Sequence, residues 1–177
     1  MPRARSLAAA LPALTLVLAA LVLATPALAA DNRARAAAVR PLEAGDVKIV
    51  EAARQGAQAR LRSAECRKLL TDFSDVEGRP LEQRLAAFAL PPEEFLATLP
   101  LLDGSSRPLC QGNRSHLLTT AGVPRVFVCK SFLKAVYQER VMAEVYLIHE
   151  LLHTLGLGEN PPTSHDITRQ VVRRCAP

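Results

Sequence analysis

The chain predicts an α+β fold in a single domain, with a small antiparallel or mixed sheet packed on helices and stapled by two disulfides. Three observations lead there. A helical stripe runs from Asp46 to about Leu70, with Val50, Ala53, Ala57, Leu61, Ala64 and Leu69 near one face. Short β-type segments divided by turns fill the middle, the strongest being Val126-Phe127-Val128, which is β-branched and aromatic. Helical character then returns from Phe132 to Leu157, with a break near Gln138. A length of 177 residues suits one domain with a real core. No internal repeat or linker divides it.

Taken in order, Arg3 and Arg5 precede an uncharged stretch from Ser6 to Ala30 that ends in Pro26-Ala27-Leu28-Ala29-Ala30. A basic start, an apolar middle and an A-x-A site predict a secretory signal peptide over residues 1–29, hence a secreted or periplasmic chain. The apolar run is also long enough for an uncleaved anchor; once cleaved, no stable membrane insertion is expected. Residues 30–45, rich in Ala and Arg and interrupted by Pro41, read as a mobile leader, and 46–177 as the folded domain, with Asp46 as N-cap.

Within that domain, Asp72-Phe73-Ser74-Asp75 and Gly78-Arg79-Pro80 read as a solvated turn. Leu81 to Ala89 is a short amphipathic helix stopped by Pro91-Pro92, and Glu93 to Ala97 a further helical turn. Asp103-Gly104-Ser105 is a hairpin-type signal. Cys110, the segment His116 to Thr120 and the strand Arg125 to Cys129 form the sheet region. Gly156 stands where a left-handed cap would end the long helix. Thr163 or Ser164 caps a last helix through Cys175, with Ile167, Val171 and Val172 inward.

The four cysteines, Cys66, Cys110, Cys129 and Cys175, include no C-x-x-C pair. In an exported chain an even count favours disulfides over a zinc site. Of three connectivities, Cys110–Cys129, closing a short strand pair, and Cys66–Cys175, tying the C-terminus to an early helix, are favoured. Without Arg3 and Arg5 the net charge falls from +5 to about +3. The arginines are scattered and there is no Trp, so nucleic acid is not an expected partner.

The chemistry concentrates at His149-Glu150-Leu151-Leu152-His153. On a helix, residues four apart share a face, so both imidazoles can reach one metal ion. Glu150, about 100° around the helix from His149, sits beside that metal as a base rather than a ligand. Two His and a Glu in this pattern are what metal-assisted hydrolysis requires. Tyr146, a turn before Glu150, either packs or orients a carboxylate.

Continued as Thr154-Leu155-Gly156-Leu157-Gly158-Glu159, the motif resembles the active-site helix of zincin metallopeptidases, in particular branches with H-E-x-x-H-x-x-G-x-x-(H or D). The resemblance covers about a dozen residues. It implies a minimal zincin-like domain over 46–177 and a zinc cofactor. The implied ligands are His149, His153 and Glu159, with Glu150 as general base assisting attack of a zinc-bound water on a peptide or protein substrate. It also casts the strand Arg125 to Val128 as the sheet edge that holds substrate. Two departures stand out. Glu occupies position 159 where the family has His or Asp, and no Met follows His153, so the Met-turn is missing. His165 and Asp166 are therefore rival third ligands, and His165 is also a candidate donor to a developing oxyanion. A non-catalytic exported binding protein with a structural or relic metal site is the competing class.

Overall fold

The computed structural model describes residues 39–112 and 115–176. The expected signal peptide and most of the expected leader lie outside the described residues. The architecture is mixed α+β: one four-stranded sheet and nine helices among the described residues, joined by two disulfides.

Strand β1 (Arg40–Pro41) leads into helix α1 (Ala44–Leu61). The last leader residues therefore belong to the domain. The helix starts two residues before the expected cap, and Asp46 falls in its first turn, where a carboxylate complements the helix dipole. The single helix expected to reach Leu70 is instead three. Ser63 adopts extended backbone and accepts from the Cys66 N–H at 3.1 Å, ending α1 and capping α2 (Ala64–Arg67). Helix α3 (Leu69–Asp72) follows, then α4 (Leu81–Ala86) and α5 (Pro92–Thr98), the latter with Pro at its first position.

Strand β2 (Leu101–Asp103) does not turn back on itself as a hairpin. Asp103 Oδ1 accepts from the Ser105 N–H at 2.8 Å and redirects the chain. Helix α6 (Pro108–Gln111) then carries Cys110, which was expected in a strand. Pro108 at its first position favours the helical turn. Strands β3 (Leu117–Leu118) and β4 (Val126–Val128) complete the sheet in the order β1-β2-β4-β3. Strand β4 runs parallel to β2 and antiparallel to β3. This corrects one expectation: Val126–Val128 is buried and flanked on both sides, so the sheet edges are β1 and β3, with β3 the one beside the motif helix.

Helices α7 (Lys130–Gln138) and α8 (Arg140–Thr154) are divided at Glu139, and α9 (Ser164–Cys175) closes the chain. Helix α8 is the axis of the domain. From Ala143 to Thr154 it is buried almost all round, as expected of a helix enclosed by other elements. Helix α1 packs on it through Val50, Ala53, Ala57 and Leu61, and α7 and α9 cover other faces. Where α1 meets α8, the buried Glu144 carboxylate pairs with Arg60 at 2.7 Å and Arg140 at 3.3 Å. Gly56 makes room for it; a Cβ there would overlap the carboxylate.

Cys66 on α2 bonds Cys175 at the end of α9, and Cys110 on α6 bonds Cys129, the residue before α7. The first bridge spans 109 positions. In the chain-entropy treatment its removal by a Cys66→Ser, Cys175→Ser double substitution costs about 4–5 kcal/mol. Urea denaturation should register that loss, and a decrease under about 1 kcal/mol would show that the bridge does not constrain the unfolded chain.

Candidate metal centre

Helix α8 ends in a left-handed residue, Gly156, at φ 109°. The Leu157 N–H reaches back to the Leu152 carbonyl at 3.1 Å and the Gly156 N–H to the His153 carbonyl at 2.9 Å, a Schellman closure. A third donor, the Gly122 N–H, takes the same His153 carbonyl at 2.8 Å. The reversal folds the segment after Gly156 back over the histidines.

His149 and His153 bring their Nε2 atoms to 3.0 Å of each other. Glu159 Oε1 lies 3.4 Å from His153 Nε2 and 3.8 Å from His149 Nε2. The tautomer of His153 follows from its other contact. His153 Nδ1 is 2.7 Å from the Leu157 carbonyl, which can only accept, so Nδ1 carries the hydrogen and Nε2 offers a lone pair. His149 Nδ1 is 2.9 Å from Thr168 Oγ1 on α9, which holds the second ring in place. Without an ion, an Nε2–H on His149 can donate to the lone pair of His153 Nε2; with one, both nitrogens and the carboxylate can turn lone pairs on it. With metal–nitrogen bonds of about 2.0–2.1 Å, two nitrogens on a tetrahedral ion stand about 3.3 Å apart. The donor set thus fits a metal ion, and its mixed N and O character suits zinc among others.

Burial, and then the neighbouring His153, push His149 down from 6.5 to about 3, keeping it a neutral ligand. Glu150 is 9% exposed and its carboxyl is raised above the usual carboxylate range by burial. The Thr119 hydroxyl and His153 pull it partly back. The Thr119 Oγ1 is buried without a well-formed hydrogen bond among the described residues, so its influence on Glu150 is one of proximity. Glu150 and the three candidate ligands face one hollow of 530 Å³, whose other wall includes Leu117, Leu118 and Thr119 from β3 and its continuation.

The structure therefore brings together His149, Glu150, His153 and Glu159. His165 does not join them: it is exposed on α9, outside the ligand group. Asp166 is engaged elsewhere, accepting from the Thr163 hydroxyl at 2.6 Å and from Arg169 at 2.5 Å. Tyr146 packs against His116, ring centroids 4.7 Å apart.

Two side-chain supports were not foreseen from sequence. One is Thr168, a bare Thr in an amphipathic helix. The other is Asp75, expected in a solvated turn but 7% exposed. Burial would raise its carboxyl, but the backbone N–H and guanidinium of Arg79 and the N–H of Glu77 outweigh that and hold it below the ordinary value. The turn so fixed donates the Val76 N–H to the Gly156 carbonyl at 3.2 Å. A Cβ on Gly156 would lie 3.0 Å from Asp75 Cβ, on a backbone L residues rarely adopt. Gly156→Ala should therefore lower stability by about 1–3 kcal/mol and loosen the placement of Glu159. Thermal unfolding alongside a zinc titration checks this; an unchanged midpoint and affinity would remove the turn from the site's architecture.

The chain matches no known protein family, no curated protein and no solved structure.

Proposed function

We propose that this chain is an exported zinc-dependent hydrolase of peptide or amide bonds. The observation that carries the reading is the convergence of His149, His153 and Glu159 beside the buried Glu150 in a cleft walled by β3. His149, His153 and Glu159 would hold the zinc, which when bound would supply Lewis-acid polarisation and a more acidic water. The chain's own groups do the rest. Strand β3 pairs only with β4 among the described residues, so its outer edge is free to align an extended backbone along the cleft. Glu150, with a raised proton affinity, takes the proton of an attacking water and returns it to the leaving amine. Thr168 and the Leu157 carbonyl fix the two imidazoles in the ligating orientation.

The alternative, a closed structural metal site in a binding protein, needs a fourth ligand. Among the described residues the group has three, which favours an open position. Two disulfides fit an oxidising compartment, and together with the basic-then-apolar N-terminus they support export to the periplasm or exterior. No helix among the described residues is long and apolar enough to cross a membrane.

The test is metal content by mass spectrometry on the purified chain, beside Glu159→Ala and His165→Ala. One zinc per chain, kept in His165→Ala and weakened at least about tenfold in Glu159→Ala, is the expected result. A wild-type chain that takes up no zinc when it is supplied would end the hydrolase reading.

A further inference from the structure

The metal hollow does not stand alone. It shares His149 and Glu150 with a neighbouring hollow of 190 Å³. That one shares His116 with a third, of 340 Å³, on the flank of α7. The three make a trough running from the candidate ligands, past the stacked His116 and Tyr146 rings, to Lys130 and Lys134. It follows the N-terminal extension of β3, the strand whose edge is open.

The far end of this trough is basic. Lys130 and Lys134 lie four apart on α7, one helical turn, so both ammonium groups rise from one face. Among the described residues neither makes an ion pair or a side-chain hydrogen bond, whereas most arginines of the domain are engaged. Glu139 is the one acidic residue lining that hollow, and it forms no ion pair with either lysine. Lys130 also borders a separate hollow carrying Glu43, Asp46 and Asp103, again with no ion pair formed. Between the lysines and the metal site, the buried His116 Nδ1 has no hydrogen-bond partner among the described residues.

We propose that Lys130 and Lys134 form a carboxylate-recognising subsite, and that the chain acts on acidic peptides. The inference rests on the proposed hydrolase reading, since the trough leads from that centre. An extended chain lying along β3 presents its side chains at regular intervals, and its negative groups are carboxylates. A carboxylate between two exposed ammonium groups gains from both while staying partly hydrated, which corresponds to about a five- to tenfold preference over the amide.

Two matched pools of random fluorescent peptides, one containing Glu and the other Gln in its place, test this on the zinc-loaded Glu150→Gln chain by fluorescence polarisation. The Glu pool should bind about five- to tenfold tighter, and the preference should vanish in Lys130→Gln, Lys134→Gln and at high salt. Equal binding of both pools, binding of neither, or a preference that survives both lysine substitutions would overturn the subsite. Cleavage of the same pools by the unsubstituted chain separates the two readings. Acid preference without cleavage keeps the subsite and sinks the peptidase; cleavage without acid preference does the reverse.

Discussion

Replacing Glu150 with glutamine is expected to lower peptide hydrolysis by about a thousandfold or more while zinc stays bound. The two carboxamide and carboxylate shapes are nearly identical, so the pocket has no reason to collapse. What is lost is the ability to accept a proton, a contribution typically worth about 10²–10⁴ in rate. The ligands are untouched, because His149, His153 and Glu159 converge without Glu150. The same substitution should also stabilise the metal-free chain at neutral pH. Burial raises the Glu150 carboxyl, so ionising it there costs folding free energy that a neutral amide does not. A gain in stability follows, read as a rise in Tm of the metal-free chain. Peptide cleavage, zinc content and thermal unfolding on one preparation test all three parts. Zinc loss in the variant, or activity kept within tenfold, would remove Glu150 from the role of base.

How much of this was legible beforehand differs by level. The paired imidazoles and their neighbouring Glu were readable because helical spacing alone places them, and α8 is a strongly apolar helix that holds that spacing rigidly. Glu159 was reachable only through a resemblance, since its place depends on the reversal at Gly156 and on the Asp75 turn that packs against it. Both disulfides were anticipated, yet the setting of Cys110 was not: Pro108 starts a helix where a strand was expected. The substrate edge was assigned to the strand with the best β-forming residues. Those residues are good because they are buried between two neighbours, so the same signal that reveals a strand argues for a central position. The edge strand beside the site, Leu117–Leu118, is short and carries little pattern. Thr168 and the Leu157 carbonyl left no trace at all, because a hydroxyl and a main-chain oxygen gain their role only from tertiary contact.

Acid should destabilise the metal-free domain over the range from about pH 6.5 down to about pH 3, and the cause is His149. Its folded-state value lies near 3 against 6.5 for an ordinary histidine, because burial and His153 oppose its charge. Between those values the unfolded chain binds a proton that the folded chain refuses, so stability rises with pH and is lost as pH falls. The integrated effect is of the order of 3–5 kcal/mol, a large share of a typical domain's stability. Glu150 works in the opposite sense. Its raised carboxyl keeps a proton above 4.5, where the unfolded chain has released it, so its contribution is present at low pH and lost as pH rises. The two slopes partly cancel in the native sequence. Glu150→Gln removes one of them, and the metal-free variant should show a steeper loss of stability in acid than the parent chain. Zinc changes the profile again: a proton on His149 competes with the ion only near its folded-state value of about 3, so the zinc-dependent gain in stability should persist through most of the window and shrink at its acid end. Urea titrations between pH 3 and 8, with chelator and with excess zinc, resolve these contributions. A metal-free parent whose stability is flat across that window, together with a variant that follows it, would mean that His149 is as solvated as an ordinary surface histidine and that the buried site does not form in solution.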